Sequence, residues 1–183
     1  MRDRRNKPTV LIGVCAGIAA YKVCDVINAL RRSGWCVLVC MSHRARFFVA
    51  PLTLQTLSGN KVFEDMFTPA QDYEPTHISL AEKTDLVLVM PATADIIAKT
   101  ACGICDELLT CVISSTNAPV LFAPAMNKAM YTNPILRANI SALKKLKYHF
   151  VGPIAGHLAC GVTGIGHIAH TQDIIRKAKA LLK

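Results

Sequence analysis

Short apolar runs recur along the chain and alternate with longer segments in which apolar and polar residues are mixed. The runs lie at 9–15, 35–41, 86–89, 119–123 and 150–151. They lack the alternation of a half-exposed strand, which is typical of strands covered on both faces, as in a parallel sheet. The mixed segments favour helices. The pattern predicts an α/β, single-domain protein with a doubly wound parallel sheet of the three-layer Rossmann-like or flavodoxin-like kind.

Helices are predicted over 16–33, 51–58, 94–102 and 106–115, and another begins at Pro134, for which Asn133 is a suitable N-cap. Residues 1–8 are expected to form a basic tail and residues 9–183 one domain. The segment 156–166 breaks the pattern, because its four glycines in eleven residues disfavour both helix and strand. We expect a Gly-rich C-terminal flap over about 155–167 that closes a site.

Polar residues follow several of the predicted strands. Pro-Ala-Thr-Ala-Asp at 91–95 and Pro-Ala-Met-Asn at 124–127 each end an apolar run, and Ser-His-Arg at 42–44 ends another. In open α/β sheets ligands bind beyond the carboxyl ends of the strands, so we expect chemistry in these loops. A hydroxyl and a guanidinium beside backbone N–H groups make 42–44 a candidate phosphate site. The segment around Gly17 does not contain the further glycines of a dinucleotide-binding fingerprint, so no dinucleotide site is expected.

Composition narrows the class of protein. The chain has 183 residues, of which 52% are hydrophobic and 18% charged, so a folded core is expected. No apolar run is long enough to span a membrane and no signal peptide is evident, which predicts a soluble, cytoplasmic protein without a membrane partner. The net charge of +9 is concentrated near both termini without interleaved aromatic residues, so no nucleic-acid partner is expected.

The eight cysteines are expected to be reduced thiols. Most should pack as small hydrophobes, including Cys102 and Cys105, since a single C-x-x-C does not complete a zinc site. The histidine and cysteine spacing between 157 and 170 would permit zinc, but a glycine-rich segment does not preset its ligands, so no metal is predicted. His77 opens a predicted helical turn, where a lone histidine is usually a capping or surface residue.

Four motifs, taken in their order and spacing, carry a resemblance that covers residues 10 to about 170. They are Gly-Ile-Ala-Ala-Tyr-Lys at 17–22, His-Ile at 77–78, Pro-Ala-Thr-Ala-Asp at 91–95, and Pro-Ala-Met-Asn at 124–127 with Leu-Ala-Cys-Gly at 158–161. Together they resemble the homo-oligomeric flavin-containing cysteine decarboxylases. The sequence departs from the usual motifs of that family at Tyr131, Val162, His167 and 82–84.

The resemblance implies a noncovalently bound FMN at a subunit interface of a homo-oligomer, either a trimer or a multiple of trimers. The residues it assigns to the cofactor are Ala16, Gly17, Ile18, Ser42, His43, Arg44, Thr93, Ala94, Asp95, Ile96 and Ala125.

The resemblance also implies the reaction and its catalytic residues. FMN would oxidise the cysteine moiety of the substrate, carbon dioxide would leave, and the resulting enethiol would be reduced again. His77 would be the base or positioning group, Asn127 would bind the substrate carboxylate beside Met126, and Cys160 would donate the last proton.

The substrate that the resemblance favours is a phosphorylated small molecule, phosphopantothenoylcysteine, in coenzyme A biosynthesis. Three alternatives of the same fold remain open: a peptidyl-cysteine decarboxylase, a flavin prenyltransferase, and a non-catalytic FMN-binding regulatory protein. Retention of His77, Asn127 and Cys160 disfavours the regulator, and the Leu-Ala-Cys-Gly segment disfavours the prenyltransferase.

Overall fold

Apolar strands form the centre of the molecule, as the computed structural model shows for residues 7–67, 76–157, 159, 161 and 163–182. The strands are β1 (Thr9–Val14), β2 (Cys36–Met41), β3 (Val62–Phe63), β4 (Leu86–Ala92), β5 (Val120–Pro124), β6 (His149–Phe150), β7 (Ile154–His157) and β8 (Thr163–His167). The α-helices are α1 (Val23–Arg32), α2 (Pro51–Ser58), α3 (Thr76–Lys83), α4 (Ala94–Cys102), α5 (Leu108–Ser115), α6 (Lys128–Thr132), α7 (Pro134–Lys145) and α8 (Thr171–Leu181). Two short 3-10 helices cover Ile18–Lys22 and Ala45–Phe47.

Six strands form one parallel sheet in the order β3-β2-β1-β4-β5-β6. Every residue of β4 is buried, as the unbroken apolar run predicts for a central strand. The strand order reverses direction between β1 and β4. Ligands of open α/β sheets bind at such a switch point, and the loops that follow β1 and β4 meet there.

Helices cover both faces of the sheet and create two separate cores. Alternate residues of β1 point to opposite faces, so Val10 and Ile12 pack in one core with α1, α2 and α8. Leu11 packs in the other core with α3, α4, α5 and α7. The predicted α/β class with a doubly wound, three-layer sheet is confirmed. No helix in the described ranges is both long and apolar enough to cross a membrane.

The glycine-rich segment corrects one prediction. The described residues on either side of 159 and 161 belong to β7 and β8, which pair as an antiparallel hairpin in which Gly156 lies opposite Gly164. Glycine allows a close approach here, because a Cβ on Gly166 would lie 2.1 Å from the carbonyl oxygen of Met126. Gly166 also has φ +140°, a conformation that favours glycine. The glycines therefore allow two paired strands to pack closely against the loop that contains Met126, whereas the sequence pattern predicts no strand here.

Smaller corrections concern a proline and the cysteines. Pro91 and Ala92 belong to β4, and Ala92 pairs with Pro124 in the parallel register, although the sequence predicts a loop over 91–95. Cys102 and Cys105 are exposed, so the prediction that they pack in the core is wrong. Cys15 and Cys40 are buried as predicted, and burial raises the pKa of both thiols.

Candidate functional site

A largely apolar cavity of about 500 Å³ lies beside the hairpin, and we call it the hairpin cavity. The loops after β1, β4 and β5 form its base, and β7 and β8 contribute two imidazoles. The side chains and backbone that line it belong to Ala16, Gly17, Ile18, Ala19, Tyr21, Lys22, Thr93, Ala94, Ala125, Met126, Asn127, Met130, His157, Ala159, Gly166, His167 and Ile168.

A second cavity, of about 470 Å³, is also lined by residues that follow β1 and β4, and we call it the polar cavity. It shares Ala16 and Thr93 with the hairpin cavity, so the two adjoin at the switch point of the sheet. The residues that line it are Cys15, Ala16, Ser42, His43, Arg44, Thr93, Asp95, Ile96, Lys99 and Glu107. Hydroxyl, guanidinium and ammonium donors are available there to an anion. Two carboxylates, those of Asp95 and Glu107, also line the cavity.

Asn127 is fixed by a helix cap. It precedes α6, and its Oδ1 accepts a hydrogen bond of 2.8 Å from the N–H of Ala129. This cap uses the acceptor atom of the amide, so the donor Nδ2 is the chemically suited group for a carboxylate. The neighbouring N–H of Met126 donates to the carbonyl of Gly166 at 3.0 Å, which ties the β5 loop to the hairpin.

Thr93 stands where the two cavities meet and begins α4. Its Oγ1 accepts a hydrogen bond of 3.4 Å from the N–H of Ile96 as N-cap. The first-turn N–H groups of a helix favour an anion. The threonine cap therefore places the start of α4 at the edge of the polar cavity.

Three carboxylates surround Lys99 and shape the charge of the polar cavity. The Lys99 Nζ lies 3.0 Å from Asp106 Oδ2 and 3.4 Å from Asp95 Oδ2. The hydrogen bond to Asp106 is the main cause that raises the pKa of Lys99. Glu107 caps α5 through a reciprocal pair of hydrogen bonds with Thr110, and its Oε2 accepts a long bond of 3.4 Å from the N–H of His43. Burial raises the pKa of Glu107.

Lys22 and His167 form a contact that no sequence motif indicates. Nδ1 of His167 lies 2.8 Å from the carbonyl oxygen of Ile168, and a carbonyl can only accept, so Nδ1 carries the proton. Nε2 then accepts from the Nζ of Lys22 at 3.2 Å. The two residues are 145 positions apart, and no local pattern could have paired them.

All eleven expected cofactor residues line one or the other of the two cavities. The hairpin cavity contains Ala16, Gly17, Ile18, Thr93, Ala94 and Ala125 with Met126 and Asn127. The polar cavity contains Ser42, His43, Arg44, Asp95 and Ile96, and it adds Lys99 and Glu107, which the sequence motifs did not single out. Lys99 had a local signal, because it follows Asp95 by one helical turn.

The structure does not place His77 in either cavity. His77 is partly buried near the start of α3 and lines neither cavity; its Nδ1 is buried without a hydrogen-bond partner among the described residues. Cys160 lies outside the described residues. No group of three or more histidine, cysteine or acidic side chains that could hold a metal occurs within the described ranges.

The paired cavities fit FMN on their own chemistry. An apolar cavity suits a flat ring system, and the adjoining polar cavity offers Ser42, Arg44 and the start of α4 to a phosphate. Lys99 adds a cation whose charge is shared with its carboxylate partners.

Comparison with known proteins gives a consistent result. The family model described as Flavoprotein matches residues 1–183. The chain is 40% identical to a probable phosphopantothenoylcysteine decarboxylase of Streptococcus mutans, over 94% of this chain and 98% of that protein. It is 42% identical to the coenzyme A biosynthesis bifunctional protein CoaBC of Borreliella burgdorferi, over 91% of this chain. The chain spans only 43% of the length of that bifunctional protein.

Solved structures agree with the sequence relatives. A mutant PPC decarboxylase in complex with pantothenoylaminoethenethiol superposes with a TM-score of 0.85 at 27% identity, covering 96% of this chain and 98% of that one. The FMN-dependent cysteine decarboxylase SpaF gives a TM-score of 0.83 at 26% identity, covering 96% and 97%. The family resemblance stated from the motifs is confirmed.

Proposed function

The chain belongs to the Flavoprotein family, and from that premise we propose that it is an FMN-dependent carboxy-lyase acting in coenzyme A biosynthesis. Its reaction is the decarboxylation of phosphopantothenoylcysteine to phosphopantetheine. The observation that carries this proposal is the pair of adjoining cavities at the switch point, one apolar and one rich in anion donors. The Streptococcus relative, which matches over nearly its whole length, supports the choice of substrate.

The polar cavity would hold the phosphate of FMN and the hairpin cavity its rings. Ser42 and Arg44 supply a hydroxyl and a guanidinium, and α4 supplies the N–H groups of its first turn. Ala16, Gly17 and Ala125 offer small groups along the base of the hairpin cavity, where a flat ring can approach the backbone. When bound, FMN supplies the electron acceptor that no side chain offers.

Asn127 would hold the substrate carboxylate through its side-chain N–H. The carboxylate loses its charge when it leaves as carbon dioxide, so a fixed cation against it would stabilise the ground state and slow the reaction. A neutral amide binds the group without that penalty. Lys22 provides a positive charge elsewhere in the same cavity, held by His167, and it suits the phosphate of the substrate.

The site would be completed by further copies of the chain in a trimer or a multiple of trimers. His77 carries a buried Nδ1 that has no partner among the described residues. Apolar side chains are also exposed near the site, including Ile18 at 62% in the hairpin cavity wall and Ile78 beside His77 at 39%. A neighbouring subunit would cover these apolar groups. Light scattering that finds only monomer while FMN is bound would contradict this arrangement.

Cys160 would donate the final proton. A serine hydroxyl is a far weaker acid than a thiol, so Cys160→Ser should slow this step while leaving the loss of carbon dioxide intact. The expected result is an accumulated enethiol two hydrogens lighter than phosphopantetheine, detected by mass spectrometry. Normal product from the serine variant would remove Cys160 from this role.

The test of the proposed function is a visible spectrum followed by a substrate comparison. Purified protein should show bound oxidised flavin that survives gel filtration, or should take up FMN on reconstitution. It should then release carbon dioxide from phosphopantothenoylcysteine faster than from a peptide with a C-terminal cysteine. Faster turnover of the peptide would assign the other decarboxylase class, and FMN binding without turnover of either would assign a regulatory role.

A further inference from the structure

Three cysteines lie in or between α4 and α5, and none of them lines the hairpin cavity or the polar cavity. Cys102 is the last residue of α4, Cys105 follows in the connecting loop, and Cys111 is the fourth residue of α5. By sequence alone the natural pair is Cys102 and Cys105, which form a C-x-x-C. The structure places the second of these thiols against a different partner.

The sulfur of Cys105 rests on the surface of α5. Its Sγ donates to the hydroxyl of Ser114 at 3.0 Å and lies 3.9 Å from the carbonyl oxygen of Thr110. The Sγ of Cys111 in turn lies 3.4 Å from the carbonyl oxygen of Cys105. Residues 110, 111 and 114 lie on adjacent turns on one side of α5. The Cys105 thiol therefore lies beside the part of the helix that carries Cys111.

Gly103 explains why the C-x-x-C is divided. It ends α4 with φ +69°, a left-handed conformation in which glycine is favoured. The chain turns there and leaves Cys102 at the end of α4, while the contacts of Cys105 beyond its own loop are made with α5.

We propose that Cys105 and Cys111 form an oxidation site, at which peroxide converts the two thiols into a reversible intramolecular disulfide. Exposed Cys105 reacts first: its sulfur takes one oxygen from hydrogen peroxide to give a sulfenic acid, and water is released. The sulfur of Cys111 then attacks that sulfur, the S–O bond breaks, and a second water leaves with the Cys111 proton. Two thiols are oxidised and one peroxide is reduced to two waters.

The order of the two steps follows from the surroundings of the thiols. Cys111 is buried, and burial is the main cause that raises its pKa, with the neighbouring Cys105 thiol next. A buried thiol of raised pKa is a poor first target for peroxide but is well placed to resolve a sulfenic acid beside it. The bridge would fasten the loop to α5, next to Asp106, which binds Lys99 of the polar cavity.

The sequence allows a direct mapping experiment. The full chain is treated with hydrogen peroxide, remaining thiols are blocked, and the protein is cut without reduction on the amino side of Asp106 or the carboxyl side of Glu107. Both cuts separate Cys105 from Cys111. A bridge between them leaves the two fragments joined and two hydrogens lighter, and a reducing thiol separates them. A Cys102–Cys105 bridge leaves the fragments apart.

Matched serine variants decide which cysteine is joined. Cys102→Ser should keep the joined fragments, whereas Cys105→Ser and Cys111→Ser should lose them. The proposal is overturned if peroxide leaves all three thiols free, if the bridge joins Cys102 to Cys105, or if joined fragments persist in Cys105→Ser. Mapping of the parent chain distinguishes the first two of these outcomes from the expected bridge even if a variant does not fold, and fragmentation of the joined peptides in the mass spectrometer identifies the bonded cysteine of each. The proposal does not depend on the proposed function.

Discussion

The hairpin cavity and the polar cavity share Ala16 and Thr93, but different kinds of side chains line the rest of each cavity. The first is formed by small and apolar groups at strand ends and by the hairpin. The second is formed by charged side chains on α4 and at the start of α5, together with the Ser42–Arg44 loop. A ligand that is apolar at one end and anionic at the other can use both walls at once.

Charge is distributed between the two cavities in an unexpected way. In the polar cavity Arg44 and Lys99 are balanced by Asp95 and Glu107, so their formal charges sum to zero at full ionisation. The apolar cavity instead contains Lys22, whose hydrogen bond goes to the neutral acceptor nitrogen of His167. Binding of an anion in the polar cavity therefore relies on directed donors, whereas the hairpin cavity has an excess of positive charge.

The largest effect is expected from Asn127→Asp in the hairpin cavity. The new carboxylate would face that of the substrate, and this repulsion costs several kcal/mol. A cost of about 3 kcal/mol lowers turnover about 100-fold. Aspartate is also a good N-cap, so α6 should persist and FMN should stay bound by absorbance. Asn133→Asp, which changes the cap of α7, is the matched control and should keep parent turnover. Parent turnover in Asn127→Asp would remove that residue from the mechanism.

The next largest effect is expected from Gly166→Ala, which changes a residue that lines the hairpin cavity. The added Cβ would meet a main-chain oxygen at 2.1 Å, and φ is positive, so we expect a loss of about 3 kcal/mol in the free energy of unfolding. Affinity for FMN and riboflavin should fall by similar factors, because both carry the ring system. Urea unfolding and fluorescence titration measure the two quantities.

Gly34→Ala is the control for that substitution. Gly34 also has positive φ, at +84°, but apart from Gly34 itself and its two chain neighbours no described atom lies within 4 Å of the position that an added methyl group would take. It should cost only about 1 kcal/mol and leave flavin affinity unchanged. Equal losses in the two variants would show that φ alone matters and that the contact with Met126 does not.

The fold could be predicted from the sequence because its central strands are unbroken apolar runs. The run around Val87 and the run around Leu121 are both buried on two faces, although β4 continues through Pro91 and Ala92 beyond its apolar run. The hairpin could not be predicted in this way. Gly156 and Gly164 pair across the two strands, and a count of glycines alone cannot distinguish such a pair from a loop.

The site was predictable only as far as the strand ends reveal it. Thr93 and Asn127 were found because the carboxyl edge of a parallel sheet collects the loops that follow its strands. Lys22 and His167 meet through the folded chain, so their contact has no local signature. The role of His77 stays a prediction, since the structure gives it a buried position but no place in either cavity.

Arg44→Met tests the polar cavity with a smaller expected effect. A hydrogen bond from a charged donor contributes about 1.5–3 kcal/mol, so affinity for FMN should fall about tenfold or more. Riboflavin lacks the phosphate and should bind with unchanged affinity, which distinguishes this variant from Gly166→Ala. Arg46→Met is the control, because Arg46 bonds to the ring of His43 and does not line the cavity. Equal weakening of FMN and riboflavin in Arg44→Met would contradict the division into a ring end and a phosphate end.

The smallest expected effect concerns the pH dependence of stability and Glu107. Burial raises the pKa of this carboxyl in the folded chain, so the folded state binds more protons than the unfolded state as the pH rises above about 4.3, the ordinary value for glutamate. The contribution of this carboxyl to the free energy of unfolding is therefore present below that pH and is lost as the pH rises through the folded pKa.

Glu107→Gln cannot ionise, and its amide oxygen can still accept the N–H of Thr110. The difference in free energy of unfolding, variant minus parent, should therefore increase with pH across this window and level off above the folded pKa. Urea titrations of the protein without FMN, at steps from acid to neutral pH, measure that difference, and a difference that stays constant or decreases would show that burial of the carboxyl does not govern its ionisation.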